Sequence, residues 1–383
     1  SWDGEIVLIG REPHTPYERP PLSKSVLTEG ESPPLLSSAE QLQELQIKFL
    51  QGSQVAEIDR QSHRIRLQND EWFPYDKLLL ATGASARRLI CTGSEHALVL
   101  RNLDEALVLR SLLAPGKHLI LIGAGFIGLE LAASAQKVGC QVTVLEMAPR
   151  ILGRNVPAEV AEVVASEHKQ KGVEIRCDVQ LDQIQALKSG YTVKLKNGEP
   201  ITGDLVVAGI GAVPEVALAE AAGLDIENGV SVNAFLQTSD PDIYAVGDCC
   251  SFPHPLYEQR RMRLEMWRCA RDQAECAVQN LLGETQEFRA VPWFWSDQFE
   301  LSLQVAGLPS FARRVIPRTR PDGVTIYFGL NDQKQLVSAA GIGVGNSVAK
   351  DIRLAEMLIA AQKTMNPAEL SDPNLNLKKL LKN

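Results

Sequence analysis

The stretch from His118 to Glu146, HLILIGAGFIGLELAASAQKVGCQVTVLE, constrains the fold more than any other part of the chain. The apolar residues 119–122 are typical of a buried parallel strand, helical periodicity follows over 129–138, and a second strand is expected at 141–145. Between the first strand and the helix stands Gly123-Ala-Gly125-Phe-Ile-Gly128. Glycines at this spacing permit a tight turn, a close approach of pyrophosphate to the backbone, and close packing of helix on strand. The sequence therefore predicts a βαβ unit that binds a dinucleotide.

Glu146 ends the second strand of this unit, about 20 residues after the glycines. A carboxylate at that position accepts hydrogen bonds from the hydroxyls of an adenosine ribose, and it repels a 2′-phosphate. We therefore expect NADH to be preferred over NADPH.

Length and composition limit the remaining possibilities. The 383 residues predict two or three domains, and 45% hydrophobic with 22% charged residues is typical of an ordinary α/β protein. The net charge of -8 argues against nucleic-acid binding, and no apolar run approaches the roughly 20 residues that span a bilayer. We expect no nucleic-acid partner, no membrane association and a cytoplasmic location. The seven cysteines have neither a CxxC pair nor zinc spacing, which indicates reduced thiols and no metal site.

The part of the chain before this unit is typical of the second half of another nucleotide-binding unit. A short strand at 5–9 ends near Glu12, and a buried strand at 76–80 stops at the small-residue turn Ala81-Thr-Gly83-Ala. Two further strands are expected at 48–55 and 64–67. The segment PYERPPLSK at 16–24 ends in a Ser-Lys pair, and its composition alone also fits a rigid surface loop.

The part after the unit contains two more turns at the ends of buried strands. The strand at 204–208 ends in Gly209-Ile-Gly211, and open α/β sheets bind ligands at such carboxyl ends. The strand at 242–246 stops at Gly247-Asp248, where the carboxylate either accepts from ligand hydroxyls or caps a turn. The other expected elements are helices at 158–171, 263–282 and 346–363 and strands at 173–177, 191–196, 301–306, 324–330 and 336–340. Strands followed by helices predict a separate α+β domain from residue 291, and the tail from Ser371 is expected to be loosely held.

Taken together, PYERPPLSK, ATGA, LIGAGFIGLELAASA, YAVGDC, RLEMW and PWFWSDQ resemble the FAD-dependent, NADH-linked ferredoxin reductases of bacterial aromatic-ring dioxygenase systems, of the 3-phenylpropionate/cinnamate or biphenyl type. The resemblance covers nearly the whole chain. It implies an α/β fold with two Rossmann-like nucleotide-binding domains and a C-terminal α+β domain that covers the flavin. The implied boundaries are 1–100 and 215–288 for the FAD domain, 101–214 for the NAD domain, and 289–383 for the C-terminal domain.

The resemblance also implies roles for single residues. Lys24 and Glu130 are expected to pair near flavin N5, with Trp295 bordering flavin and nicotinamide, and these three are the expected catalytic residues. The alternatives are purely structural roles, as an exposed helix residue for Glu130 and as a core aromatic for Trp295. The full set expected to bind FAD or NADH is Glu12, Arg19, Lys24, Val55, Ala81, Gly83, Gly123, Gly125, Ile127, Gly128, Glu130, Glu146, Arg154, Gly211, Asp248, Glu265 and Trp295.

The implied activity passes electrons from NADH through FAD to a [2Fe-2S] ferredoxin, which serves a Rieske-type oxygenase. The alternatives are a rubredoxin reductase and an NADH-sensing interaction protein resembling apoptosis-inducing factor. Because ferredoxins are usually acidic and this chain is net negative, docking needs a local basic face. The candidates are Arg260, Arg261, Arg263, Arg268 and Arg271, and Arg313, Arg314, Arg318 and Arg320.

The sequence departs from the family at its start. Relatives begin with a strand and a glycine-rich turn that bind the FAD pyrophosphate, and this sequence opens on Ser1 after both. Arg11 also stands where relatives have an acid. We expect a chain shortened by about 25 to 30 residues, the length of a strand, turn and helix, that binds FAD poorly until they are restored.

Overall fold

The structure is a computed structural model that describes residues 4–153 and 155–381. Arg154, expected at a cofactor site, lies outside the described residues. Within the described ranges, no helix has both the length and the apolar character needed to cross a bilayer.

The first hundred residues form short strands around small helices. Their elements are β1 (Ile6–Gly10), α1 (Ser25–Thr28), α2 (Ala39–Glu44), β2 (Ile47–Gln51), β3 (Val55–Asp59), β4 (Arg64–Leu67), β5 (Trp72–Pro74), β6 (Leu78–Leu80) and β7 (Ala84–Ala86). β1 and β2 pair in parallel, whereas β3, β4 and β5 form an antiparallel sheet. The expected single strand at 48–55 is wrong, because Gly52 has a φ of +65° and separates β2 from β3.

The central segment contains the predicted βαβ unit. Its elements are α3 (Leu103–Leu112), β8 (His118–Ile122), α4 (Phe126–Val138), β9 (Gln141–Leu145), α5 (Ala158–Gln170), β10 (Glu174–Arg176), β11 (Leu181–Ala186), β12 (Tyr191–Leu195), β13 (Ile201–Gly203), β14 (Leu205–Ala208) and β15 (Ala212–Pro214). Parallel strands run in the order β10-β9-β8-β14, and an antiparallel sheet of β11, β12 and β13 lies beside them. The order puts the ends of β8 and β14 side by side, so the two glycine turns are neighbours.

The chain then returns to the first segment. Its elements are α6 (Ala217–Ala221), β16 (Val230–Ser231), β17 (Ile243–Ala245), β18 (Cys250–His254), β19 (Arg260–Met262) and α7 (Trp267–Leu281). β17 pairs in parallel with β6, which places Gly247-Asp248 beside the Ala81–Gly83 turn. The helix expected at 263–282 starts later, at Trp267, since Arg263 is held by Asp248 O (3.2 Å) and by the Glu265 carboxylate (2.5 Å) in an extended segment.

The last ninety residues form an antiparallel sheet covered by helices. The elements are β20 (Trp293–Gln298), β21 (Leu301–Gly307), β22 (Arg314–Thr319), β23 (Thr325–Leu330), β24 (Leu336–Val344), α8 (Ala349–Ala361) and α9 (Pro367–Ser371). The strand order is β20-β21-β24-β23-β22. Leu303 and Val305 of this sheet share a hydrophobic core with α4 and β8, whereas Ile326 and Phe328 share a core with β17 and β18. The sheet therefore packs against both of the other segments.

The described part of the tail, residues 372–381, is not loosely held, contrary to expectation. Leu377 and Leu380 are buried in the core shared with α8. The buried Arg318 donates to the carbonyl oxygens of Leu370 (3.3 Å), Pro373 (3.4 Å) and Leu375 (2.5 Å). The tail is thus an integral part of the C-terminal segment.

Candidate functional site

The glycine turn between β8 and α4 has the geometry of a dinucleotide cradle. A Cβ on Gly128 would lie 2.4 Å from Gly123 O, so only glycine lets α4 pack this closely on the strand. A Cβ on Gly125 would meet no atom within 4 Å, and Gly125 caps the thirteen-residue α4 without any side-chain hydrogen bond. The N-terminus of α4 therefore faces open space with its amides available, which fits a pyrophosphate group.

Glu146 lies at the end of β9, as predicted, and its position is fixed by the turn itself. One carboxylate oxygen accepts from the Ala124 N–H (2.8 Å) and the other from the Ala148 N–H (2.8 Å). Because carboxylate oxygens can each accept more than one bond, the remaining lone pairs can take ribose hydroxyls. Ile127, on the first turn of α4, is 47% exposed, and Gly211, with a φ of +99°, has open space where a Cβ would stand. These neighbours leave room for the rest of the nucleotide.

The predicted catalytic pair is assembled from two distant segments. Lys24 Nζ lies 3.1 Å from Glu130 Oε2, and the Ser23 hydroxyl donates to the same oxygen at 2.5 Å. Glu130 is only 6% exposed, so the alternative of an exposed helix residue is excluded. Asp297 lies 3.9 Å from the Lys24 ammonium. The buried carboxylate is thus balanced by a cation and by hydroxyl donors.

Trp295 forms part of an aromatic wall. Its ring stacks on Trp293 with centroids 5.4 Å apart, and it meets Trp267 edge-on at 6.1 Å. Together with Lys24, Glu130, Asp297 and Phe299, Trp295 lines a cavity of about 380 Å³. The structure therefore brings the three expected catalytic residues, Lys24, Glu130 and Trp295, to one place.

The residues expected at the flavin form two smaller groups. Arg19 pairs with Glu12 (2.5 Å) and also donates to Arg101 O (2.9 Å). Asp248 pairs with the Arg101 guanidinium (2.6 Å), whose Nε donates to Ala84 O (2.7 Å).

The remaining expected flavin residues lie around these two groups. Ala81 and Gly83 flank the same small-residue turn, with Gly83 at a φ of +70°. Glu265 accepts from Arg263, which also donates to Asp248 O. The half-buried Val55 begins β3 and packs against the core. Lining groups of both signs and a glycine at positive φ fit the sugar and phosphate parts of a second nucleotide.

Several residues of the site escaped the sequence analysis. Ser296, Gln298 and His168 continue the hydrogen bonds from Glu130 into the interior, and Arg101 holds Asp248. Ser296 and Gln298 belong to the motif PWFWSDQ at alternate positions of a strand, which was a readable signal that they share a face. His168 stands in an ordinary amphipathic helix, and nothing in its neighbourhood distinguishes it.

No disulfide links any two cysteines of the described residues. All seven are free, and five of them are buried. Burial raises the pKa of Cys250 and Cys269, so these thiols stay protonated and unreactive. The expected burial holds for these five, whereas Cys91 and Cys177 are partly exposed, and the reduced state of the thiols stays a prediction.

Comparison with known families assigns the chain to a class. Residues 1–274 match the family described as pyridine nucleotide-disulphide oxidoreductase, and residues 293–381 match the family described as reductase C-terminal. The chain therefore belongs to the pyridine nucleotide-disulphide oxidoreductase family. The predicted α/β fold class is confirmed.

Within this class, the similar proteins with 30% identity or more include ferredoxin reductases. The ferredoxin–NAD(+) reductase component of the anthranilate 1,2-dioxygenase system of Burkholderia cepacia is 37% identical over 99% of this chain and 93% of its own length. The ferredoxin reductase for the CYP199A2 system of Rhodopseudomonas palustris superposes with a TM-score of 0.93 at 34% identity, covering 99% of this chain and 94% of that one. Putidaredoxin reductase in its covalent complex with putidaredoxin gives 0.92 at 32% identity, over 100% and 93%. The family recognised from the sequence motifs is confirmed.

Proposed function

We propose that this protein passes electrons from NADH, through bound FAD, to a [2Fe-2S] ferredoxin that serves an aromatic-ring oxygenase. The observation that carries the proposal is the meeting of Lys24, Glu130 and Trp295 at one cavity, with a dinucleotide cradle on the same helix as Glu130. Membership of the family supports it, since relatives at 37% and 32% identity are named as a dioxygenase-system ferredoxin–NAD(+) reductase and a putidaredoxin reductase. FAD and NADH are the cofactors expected for the family, and the ferredoxin partner follows from the names of these relatives.

FAD, when bound, supplies the redox chemistry, because it accepts a hydride from NADH and releases electrons one at a time. The protein binds NADH and positions it for the reaction. Gly125 and the α4 N-terminus bind the pyrophosphate of NADH, Glu146 binds its ribose, and Lys24 with Glu130 holds balanced charge beside the reacting groups. Trp295 and Trp293 form an apolar wall that excludes water. No side chain has to act as a general acid or base.

For FAD itself, Arg19, Asp248 and the Ala81–Gly83 turn are the groups that would hold the cofactor, with Glu12, Val55 and Glu265 around them. We also propose the division into an FAD domain at 1–100 and 215–288, an NAD domain at 101–214 and a C-terminal domain at 289–383. The pairing of β6 with β17 supports it, because that pairing joins the two pieces of the first domain. A cytoplasmic location is proposed because NADH and reduced thiols are maintained there.

The ferredoxin is proposed to dock on the exposed arginines around Phe311, a surface made of Arg260, Arg313 and Arg314. The Arg260 guanidinium lies 5.2 Å from the Phe311 ring centre, and the Arg313 side chain is 73% exposed. Other arginines expected to dock a partner are engaged within the protein. Arg318 is buried against the tail, and Arg320 pairs with Asp351 (2.9 Å).

The test is turnover of the purified protein with FAD added, with NADH as donor and a [2Fe-2S] ferredoxin as acceptor. Ferredoxin reduction that depends on both FAD and NADH is expected, with ferricyanide as the acceptor that needs no docking. Faster reduction of rubredoxin than of ferredoxin would make the protein a rubredoxin reductase. A long-lived charge-transfer complex without turnover would instead make it an NADH sensor and overturn the proposal.

A further inference from the structure

A continuous chain of buried hydrogen bonds leads from Glu130 into the protein interior. The Ser296 hydroxyl donates to Glu130 Oε1 at 2.6 Å, on the oxygen that Lys24 does not contact. Gln298 Nε2 donates to the Ser296 oxygen at 2.8 Å, and Gln298 Oε1 lies 2.8 Å from His168 Nε2. Ser296, Gln298 and His168 are each 0% exposed. Water therefore does not compete for these bonds.

In each of these hydrogen bonds the donor lies on the side of His168 and the acceptor on the side of Glu130. An amide oxygen can only accept, so His168 Nε2 must carry the proton that it shares with Gln298. The Gln298 amide then donates to Ser296, and Ser296 donates to the carboxylate. Each donor polarises the next, and the summed dipoles favour a negative charge on Glu130 in one fixed orientation.

The state of His168 agrees with this direction. Burial lowers the pKa of His168, so the ring is neutral near pH 7 and has a single N–H. Its Nδ1 has no hydrogen-bond partner among the described residues, and the ring packs edge-on against Phe299 at 5.0 Å. A buried imidazole atom without a partner costs free energy, and so does a polar chain in a core that leucines could fill. Packing alone gives no reason for such an arrangement.

This series of hydrogen bonds also joins elements from separate parts of the molecule. His168 lies in the last turn of α5, Gln298 and Ser296 lie on β20, and Glu130 lies on α4. Lys24 comes from the loop before α1 and completes the junction. The orientation of Glu130 thus depends on how the central segment packs against the C-terminal sheet.

We propose that Ser296, Gln298 and His168 are positioning residues that hold the Glu130 carboxylate in the orientation needed for hydride transfer from NADH. The proposal rests on the proposed function, in which Lys24 and Glu130 border the reacting groups. Misplacement of a positioned group by about 1 Å can cost on the order of a hundredfold in rate, so a remote residue can control the chemistry.

The test uses the full chain with saturating FAD and three measurements: the single-turnover rate of flavin reduction by NADH, the dissociation constant of NADH, and the 13C chemical shift of the Glu130 carboxyl at pH 7. Gln298→Leu removes both middle links, and we expect the rate to fall about tenfold or more while NADH affinity changes less than about threefold. The Glu130 carboxyl signal should shift in the same variant. Ser296→Ala, which removes one hydroxyl with little change of shape, provides the same test if Gln298→Leu does not fold.

Two variants of the histidine separate positioning from packing. His168→Phe removes the donor and should slow the reaction, whereas His168→Gln keeps an N–H donor near the Nε2 position and should restore the rate to within about threefold of wild type. His254→Phe is the matched control. His254 is equally buried, but it lies among Phe252, Tyr257 and Phe288 and takes no part in the hydrogen bonds from His168 to Glu130. This variant should leave the rate and the Glu130 signal unchanged.

A folded Gln298→Leu or Ser296→Ala protein with wild-type rate and an unshifted Glu130 signal would overturn the proposal. An equal loss of rate in His254→Phe would do the same. Failure of the proposed function is a distinct result: wild-type protein that does not reduce its flavin with NADH, or a Glu130→Gln variant as fast as wild type. After either of these two results, the 13C signal of the Glu130 carboxyl still decides whether Ser296, Gln298 and His168 orient Glu130.

Discussion

Two carboxylates of the βαβ unit, Glu130 on α4 and Glu146 after β9, are fixed by different means. Glu146 is half exposed and is held by two backbone N–H groups, so its charge stays available to a ligand. Glu130 is buried and is held by Ser23, Lys24 and Ser296. Desolvation of a carboxylate is costly unless such partners replace the lost water, which is why all three donors converge on one side chain. Glu146 is thus suited to binding a ligand, whereas Glu130 is suited to a role beside the reacting groups.

The preference for NADH is predicted to depend on Glu146. Wild-type protein should favour NADH over NADPH by well over tenfold in kcat/KM, because the loss of ribose hydrogen bonds and the repulsion of a 2′-phosphate together cost about 2 kcal/mol or more. Glu146→Ala should narrow this preference. Steady-state rates with both nucleotides and ferricyanide measure it, and equal rates for the wild type would contradict the assignment.

Stability at mildly acidic pH is predicted to depend on His254. Burial lowers the pKa of His254 from 6.5 to about 4. Between these values the unfolded chain binds a proton that the folded protein does not, so this contribution is absent above pH 6.5 and destabilises the fold as the pH falls towards 4. Wild type should lose about 2 kcal/mol more than His254→Phe between pH 7.5 and pH 5. Urea unfolding at both pH values measures the difference, and parallel losses in the two proteins would refute the assignment.

At the scale of elements, the six residues 123–128 at the junction of β8 and α4 contain one glycine that packing requires, Gly128, and one that binding requires, Gly125. Gly128→Ala should destabilise the fold by about 1 to 3 kcal/mol, because its Cβ would lie 2.4 Å from Gly123 O and would push the helix away. Gly125→Ala should leave stability within about 0.5 kcal/mol, since its Cβ meets no protein atom, yet raise the KM for NADH about tenfold by obstructing the phosphates.

Thermal unfolding and NADH titration of these two glycine variants provide the comparison. An equal fall in Tm for both variants would show that the space beside Gly125 is not open. An unchanged KM in Gly125→Ala would show that the pyrophosphate does not approach that position.

The elements that periodicity specifies locally were predictable, and those set by distant contacts were not. β8, α4 and β9 follow from apolar runs and glycine spacing, because a buried parallel strand has to be apolar throughout. The start of α7 at Trp267 depends on a contact of Arg263 with Asp248, and the order in the tail depends on Arg318. Likewise, PPLSK and PWFWSDQ pointed to Lys24 and Trp295 through resemblance, but no spacing in the sequence places His168 next to Gln298. Such pairs become neighbours only through tertiary packing.

At the scale of the whole molecule, the net charge of -8 opposes an acidic partner, so the basic surface around Phe311 has to overcome that repulsion locally. Replacing Arg313 and Arg314 together with glutamate should slow ferredoxin reduction about tenfold at low salt and flatten its salt dependence. Ferricyanide reduction should stay within about twofold, because a small acceptor needs no docking face.

The matched control for this double variant is Arg64→Glu with Arg289→Glu, which reaches the same net charge through two exposed arginines that are not docking candidates. Ferredoxin reduction slowed equally by both double variants would reflect overall charge, and reduction slowed by neither would move the docking face elsewhere. Loss of ferricyanide activity would indicate damage to the flavin site instead.

The junction around Glu130 also has a consequence for how the protein is made. Glu130 comes 106 positions after Lys24, and Ser296 comes a further 166 positions later. At about 5 to 20 residues per second, a ribosome adds Ser296 tens of seconds after Lys24, when most of the chain has already emerged. A nascent chain therefore cannot complete the hydrogen bonds of Glu130 until Ser296 has left the ribosome. The ion pair of Lys24 with Glu130 is expected to reach its final environment well after both of these residues have been made.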